Sequence, residues 1–440
     1  MKARLVPLYL PNKDEDFDKQ LAILQNLLQD DAEFLAPAAL GSELPEADAV
    51  IFPQMLGDAY RMVEEFQRID LPMLVVTCEF GTVLMWDWEI VSFLKSKGIK
   101  NVIAPYSLEQ TKKLCRALQT KRQLNGGTFL VFQDNPGEGF QAEIFKRFYW
   151  WEDESIGLIK DRFGVTIRKK SFQELGERAK KVSDSNAKAA WKKWEFAIDD
   201  ALPERAVLSA LKMYLVLHEE LEADPSIRSM GINCLNESRY SDTTPCLAWN
   251  LLYLEKELIW GCEADTMSML TKYILHKTLG MPIMMTNIYP FLMGQAALAH
   301  ERIPSFPEVV DEPENHMLLA HCGYLGVVPQ CFSTDWVMRK KVLAIVDDNA
   351  HALDARMAAG PSTMAKIGPT LKDIQVIEGD IKGYVQYSDS DCLNGAVMKV
   401  RNGHQLVNNI FSHHLLLMTG HQAKDIDLIS KVFGLKVEEL

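Results

Sequence analysis

Four residues in the second half of the chain have side chains that could hold a divalent ion or carry protons: Glu237, Glu263, His321 and His414. Glu237 lies in GINCLNESRYSD after a short apolar run, and Glu263 lies in LIWGCEADTMSML, where an apolar strand ends just ahead of a helix. Ligands of open α/β sheets bind at the carboxyl ends of the strands, so a carboxylate there stands where chemistry is done. Asp265, two residues on, has a structural reason for its position, since it is suited to cap the helix TMSMLTKYILHKTL. His321 belongs to ENHMLLAHCG, a mostly apolar strand between turn signals. His316, five residues earlier, falls on the opposite side of an ideal strand. By the same rule the neighbours His413 and His414 in FSHHLLLMTG face opposite ways, so one can point inward while the other meets solvent or the groups behind the site. A lone histidine in an apolar strand is more often a satisfied core residue than a ligand. Two such strands and two acidic strand ends together carry more weight.

Other chemistries find no support. There is no G-x-S-x-G, no G-x-x-x-x-G-K-[ST] and no H-E-x-x-H. The two glycines of DNPGEGF (134–140) read as a tight turn at a pocket edge, since a single G-x-G is weak grounds for a dinucleotide site. A net charge of −13 gives a polyanion little attraction, which argues against nucleic acid as a partner. Residues 160–193 run against that balance with eleven Lys/Arg and four Asp/Glu, and read as a solvated helical face. The start, MKARLVPLYLPNKDED, reads as a first β-strand rather than a signal peptide. No run approaches the roughly 18–20 apolar residues that cross a bilayer, so no membrane partner is expected. Eight cysteines without a C-x-x-C pair point to a reducing compartment, and the expected location is cytoplasmic.

The elements that must position these residues fall into three runs, in a chain of 440 residues that is too long for one core. Over residues 1–125, RLVPLYL, DAVIFPQ, PMLVVTC and NVIAP alternate with amphipathic helical stretches, the pattern of a parallel sheet covered by helices. After Asn125-Gly126-Gly127 a second α/β run begins at TFLVFQ and closes at PIMMTNIYPF, giving a central domain over 126–300 that carries the acidic candidates. Over 301–440 short strands (HMLLAHC, IQVIEGD, GYVQYS, GAVMKVR, FSHHLLLMT) are separated by Gly, Asp and Asn turns and followed by the helix KDIDLISKVFG. The expected fold class is therefore α/β: two Rossmann-like α/β domains, then a C-terminal antiparallel β-rich, barrel-like domain carrying the histidines.

In four segments the chain resembles the L-fucose/L-arabinose isomerase family. GCEADTMSMLTKYIL is similar to the family's G-x-E-G-D-x-x-x-A-L stretch, whose Glu binds the metal, and Glu237 stands 26 residues before Glu263 with Pro245 between them. VVDEPENHMLLAHCG resembles the strand of the first metal histidine, and FSHHLLLMTGHQAKDIDLISKVFGLKV resembles the C-terminal ending whose second histidine is the other ligand. The resemblance implies metal ligation by Glu237, Glu263, His321 and His414, with Mn²⁺ or another divalent cation as cofactor. It also implies an aldose–ketose isomerase acting on an open-chain sugar through an enediolate, with Glu237 and Glu263 as the proton-transfer pair and a homo-oligomer as the assembly. Trp86, Trp88, Trp150 and Trp151 are candidates to stack on the sugar, or to serve a core or subunit interface. The chain has Gly420-His421 where the family shows Gly-Asp, and Asp391-Cys392-Leu393 where it often shows Gly-Cys-Arg. These changes leave open an epimerase or other enediolate enzyme, and a non-catalytic sugar-binding protein of the same fold.

Overall fold

The computed structural model describes residues 2–11, 15–134, 153–234, 237–299, 311–321, 329–340, 350–385 and 395–440. The glycines of DNPGEGF, Trp150, Trp151 and Asp391-Cys392-Leu393 lie outside the described residues. The chain divides into two compact units. One is formed by Met1–Gln123 with Lys277–Leu279 and Lys424–Lys436, the other by Leu124–His276, Gly280–Ala423 and Val437–Leu440.

In the first unit, β1 (Ala3–Tyr9), β2 (Ala32–Phe34), β3 (Ala38–Ala39), β4 (Ala49–Phe52), β5 (Met73–Val75) and β6 (Val102–Ile103) form a parallel sheet in the order β2-β1-β4-β5-β6, with β3 also paired to β1. The strands read as continuous apolar runs because both faces are covered, and all four residues of β4 are buried. Val6, Leu8, Val50, Phe52, Met73 and Val75 fill one core with residues of the flanking helices. The chain reverses its direction of travel across the sheet at β1. At the carboxyl edge beside that strand lies a cleft of about 610 Å³ lined by Leu10, Gln20, Pro53, Gln54, Thr77 and Glu79 among others.

The second unit begins with β7 (Thr128–Phe132), β8 (Thr166–Lys170), the short β9 (Ala197–Ile198), β10 (Ile227–Ile232) and β11 (Ile259–Cys262). Four of them make a parallel sheet ordered β11-β10-β7-β8. Part of the basic stretch is paired within the chain: Lys170 and Arg178 both pair with Glu220 on the helix Glu204–Ala223, and Arg168 pairs with Asp224 at that helix's end. Arg168 and Lys170 stand on β8 and Arg178 on the helix Phe172–Lys181, so the stretch is not one helical face.

The remaining strands are β12 (Met284–Pro290), β13 (His316–Ala320), β14 (Asp335–Lys340), β15 (His351–Arg356), β16 (Gly360–Ile367), β17 (Asp373–Val385), β18 (Gly395–Val400), β19 (His414–Thr419) and β20 (Lys436–Glu439). Antiparallel pairing runs β16-β19-β12-β13-β18-β17, and β17 pairs back onto β16, which closes a six-stranded barrel. Closure leaves no free edge among those six strands. Two details differ from expectation. PIMMTNIYPF, read as the end of the central α/β run, is β12 of the barrel, because an apolar run alone does not tell a parallel partner from an antiparallel one. IQVIEGD and the first residues of GYVQYS, Gly383–Val385, belong to one strand, β17, whose register shifts between Ile381 and Gly383. No helix among the described residues is long and apolar enough to cross a membrane. None of the six described cysteines is in a disulfide.

Candidate metal centre

Glu263 follows the last residue of β11, in a turn that ends at Asp265, the N-cap of the helix Thr266–Leu279. The turn is tight. Glu263 and Ala264 both adopt φ of +54°, a left-handed conformation that costs an L-residue energy and is seen at sites where geometry is imposed. Two glycines make room for it. Gly231 of β10 and Gly261 of β11 are register partners; a Cβ on Gly231 would meet the Ala264 Cα at 3.0 Å, and one on Gly261 would meet the Met269 side chain at 2.4 Å.

The histidines come from the barrel. Asn287 of β12 pairs with Ala320 of β13 on one side and with His414 of β19 on the other, so His321, one residue beyond β13, and His414 flank the same strand. Their rings meet edge to face at 5.7 Å. Glu263, His321 and His414, all buried, each offer one donor atom, and these atoms lie within 4.8 Å of one another. The His414 Nε2 is 3.6 Å from the Glu263 Oε1. His321 engages the Asn287 Oδ1 at 3.1 Å through Nδ1, and His414 engages the Asp265 Oδ2 at 3.0 Å through its own Nδ1. Partners on Nδ1 leave Nε2 as the ligand nitrogen of both rings, the arrangement by which outer groups orient metal histidines. One buried Glu/His/His group could therefore hold a metal ion.

Electrostatics follow from burial and pairing. Burial would raise the Asp265 carboxyl. The Lys366 ammonium, the His414 hydrogen bond and charge and the Ser268 N–H outweigh it and hold the group well below the usual carboxylate range. Burial would lower the His414 imidazole, and the hydrogen bonds and charges of Asp265 and Glu263 raise it instead. For Lys366 burial wins, and the ammonium is lowered despite Asp265.

Of the four residues singled out by sequence, three are brought together and Glu237 is not in the group. Glu237 is fully buried after β10, and both its carboxylate oxygens accept the Asp134 N–H, at 2.9 and 3.0 Å. It shares the carboxyl edge of the parallel sheet with Glu263, since β10 and β11 are neighbours. His316 is held by the Glu312 carbonyl, outside the group. His414 is buried and His413 is exposed by surface area, yet their rings lie 4.2 Å apart, so the two do not face opposite ways as an ideal strand would have them. Trp86 and Trp88, on the helix Met85–Ser96 of the first unit, are both 66% exposed. Asp265 caps its helix as expected, through the Ser268 N–H at 2.9 Å, and in addition engages His414. Sequence reasoning missed Asn287 and Lys366. Each is a polar residue inside an apolar strand, and that was the available signal. A scan of the chain against protein-family models finds no match, and a search of curated proteins finds none either.

Proposed function

We propose that the protein is a metal-dependent aldose–ketose isomerase of the L-fucose/L-arabinose isomerase type. In this reading the two parallel sheets are Rossmann-like domains, and the enzyme works on a small sugar in the cytoplasm as a homo-oligomer. The observation that carries the reading is the convergence of Glu263, His321 and His414 from a parallel-sheet edge and two barrel strands into one buried donor group. A carboxylate and two imidazoles suit Mn²⁺ or a related divalent cation, which when bound supplies a Lewis acid for a carbonyl oxygen.

The chain's own residues do the rest. Moving a carbonyl from C1 to C2 needs a proton taken from one carbon and returned to its neighbour. Glu237, at the same sheet edge and outside the donor group, is the carboxylate left for that transfer, while Glu263 serves the ion and the hydroxyl-proton step. Gln133 and Asn233, buried at the ends of β7 and β10, supply amide groups for sugar hydroxyls. Neither the Asn233 Oδ1 nor its Nδ2 has a hydrogen-bond partner among the described residues.

The test is metal content of purified protein, wild type beside His414→Ala and Glu263→Gln, followed by a screen of aldoses in D₂O. One Mn²⁺-like ion per wild-type chain, its loss in both variants, and ketose formed with exchange of the C2 proton is the expected result. Exchange without ketose would turn the reading to an epimerase. A wild-type protein that takes up no divalent ion in excess would end it.

A further inference from the structure

Lys366 is an expensive residue where it stands. It lies in β16 of the barrel, is 3% exposed, and carries its ammonium to the Asp265 Oδ2 at 2.9 Å. A buried ion pair usually stabilises no more than apolar residues of the same volume would, so its presence asks for another reason. The surroundings supply one. The same Oδ2 accepts from the Ser268 hydroxyl at 2.7 Å and from the His414 Nδ1 at 3.0 Å, and the Ser268 hydroxyl in turn accepts from Lys366. The other oxygen, Oδ1, accepts the Ser268 N–H. Asp265 thus spends both oxygens, one on capping the helix Thr266–Leu279, which pins the end of the turn that follows Glu263, and one on the ring of His414. The turn needs holding, because Glu263 and Ala264 are both left-handed.

We propose that Asp265, held by Lys366, is the positioning residue of the donor group: one carboxylate fixes the strained turn that aims Glu263 and the ring that aims His414. The inference rests on the metal reading above, since positioning here means readiness for an ion. It accounts for Asp265 lying outside the three-donor group although it is only two residues from Glu263, because its oxygens are committed. It also fixes the tautomer for ligation, with His414 donating from Nδ1 and Nε2 turned toward Glu263.

Asp265→Asn separates this role from capping. Asparagine is as good an N-cap as aspartate, so the helix survives the change. With only one oxygen, it cannot serve both the Ser268 N–H and His414; an amide NH₂ facing Nδ1 would drive the ring proton to Nε2 and block the ligand nitrogen. The experiment titrates Co²⁺ into wild type, Asp265→Asn and Lys366→Met, reading affinity and the visible absorption band, with thermal unfolding of each metal-free protein alongside. Expected is a loss of roughly 10–100-fold in Co²⁺ affinity for Asp265→Asn, titrated below the unfolding range of the metal-free variant, which unfolds earlier than wild type because Lys366 loses its carboxylate. Lys366→Met, which frees the carboxylate to move, shifts the Co²⁺ band. Wild-type affinity and an unchanged band in both variants would overturn the positioning role while leaving the metal reading intact. Should Asp265→Asn unfold too early to titrate, the double variant Asp265→Asn/Lys366→Met, which buries no lone charge, takes its place under the same criterion. Wild type that binds no Co²⁺ overturns the metal reading and this inference with it.

Discussion

The two parallel sheets of this chain end in different ways. The carboxyl edge of the first opens on a cleft of about 610 Å³ lined by Gln54, Thr77 and Glu79 beside apolar Leu10 and Pro53. The edge of the second carries Glu237, Glu263 and Asp265, all buried. Both follow the rule that function gathers where parallel strands end. Among the described residues only the second gathers side chains that could hold a metal ion, and the reason is its company. A parallel edge offers carboxylates in its loops, while the two imidazoles arrive on barrel strands that flank Asn287.

The sharpest way to break that contrast is to neutralise one acid at each edge. Glu237→Gln is expected to lower turnover by about 10²–10⁴-fold, the usual worth of a positioned acid or base, while the protein keeps its ion. Glu263→Gln loses both ion and turnover. Glu79→Gln, in the cleft of the first unit, leaves metal content at the wild-type level. If Glu237→Gln also empties the protein of metal, Glu237 is a ligand after all and the division of labour between the two glutamates is wrong.

How legible this was depended on the kind of interaction. The strands of the first sheet could be read from RLVPLYL, DAVIFPQ and PMLVVTC because a run buried on both faces advertises itself. Glu263, His321 and His414 were also within reach, as polar residues at the ends of apolar strands. A barrel-like β domain was legible too, but its strand order was not, since closure depends on β16 meeting β17 and β19, pairings that hydrophobic periodicity leaves unspecified. The partners of the donors were hidden for a similar reason. Lys366 stands about a hundred residues from Asp265, and although a lysine inside an apolar strand is a signal, nothing local in STMAKIG names Asp265 as its partner. The helix ending at Phe433 was legible as a helix, yet it belongs with the first unit.

Lys272 sharpens the comparison from the side of stability. It is buried in the second unit with its ammonium nitrogen 3.0 Å from the centroid of the Trp260 ring, and the nitrogen has no hydrogen-bond partner among the described residues. Burial pushes it well below the ordinary lysine value. Unfolded, the amine is protonated below about pH 10.4; folded, it stays neutral to a much lower pH. The unfolded chain therefore binds the extra proton across that window, and this residue costs stability at pH 7 that is recovered as pH rises toward 10. Lys272→Met is expected to stabilise by about 1–3 kcal/mol at pH 7, with a smaller gain near pH 10. Urea unfolding at both pH values checks it. Lys366, by contrast, is paired, and Lys366→Met leaves the buried Asp265 carboxylate without its lysine, so it is expected to destabilise. Equal responses at the two lysines would mean that pairing does not distinguish them.

The smallest expected effect tests whether the strained turn is held by its own backbone or by Asp265. Ala264 is buried at φ of +54°, where a left-handed L-residue costs roughly 1–2 kcal/mol. Glycine escapes that cost and gives back about 0.5–1 kcal/mol through the freedom it adds to the unfolded chain. Ala264→Gly should therefore stabilise by around 0.5–1 kcal/mol, a rise of a degree or two in Tm. If the carboxylate of Asp265 fixes the turn, metal affinity stays within about twofold of wild type, because the hydrogen bonds that aim Glu263 and His414 are untouched. If affinity falls while stability rises, the stiffness of alanine itself was aiming Glu263, and strain rather than hydrogen bonding readies the donor group.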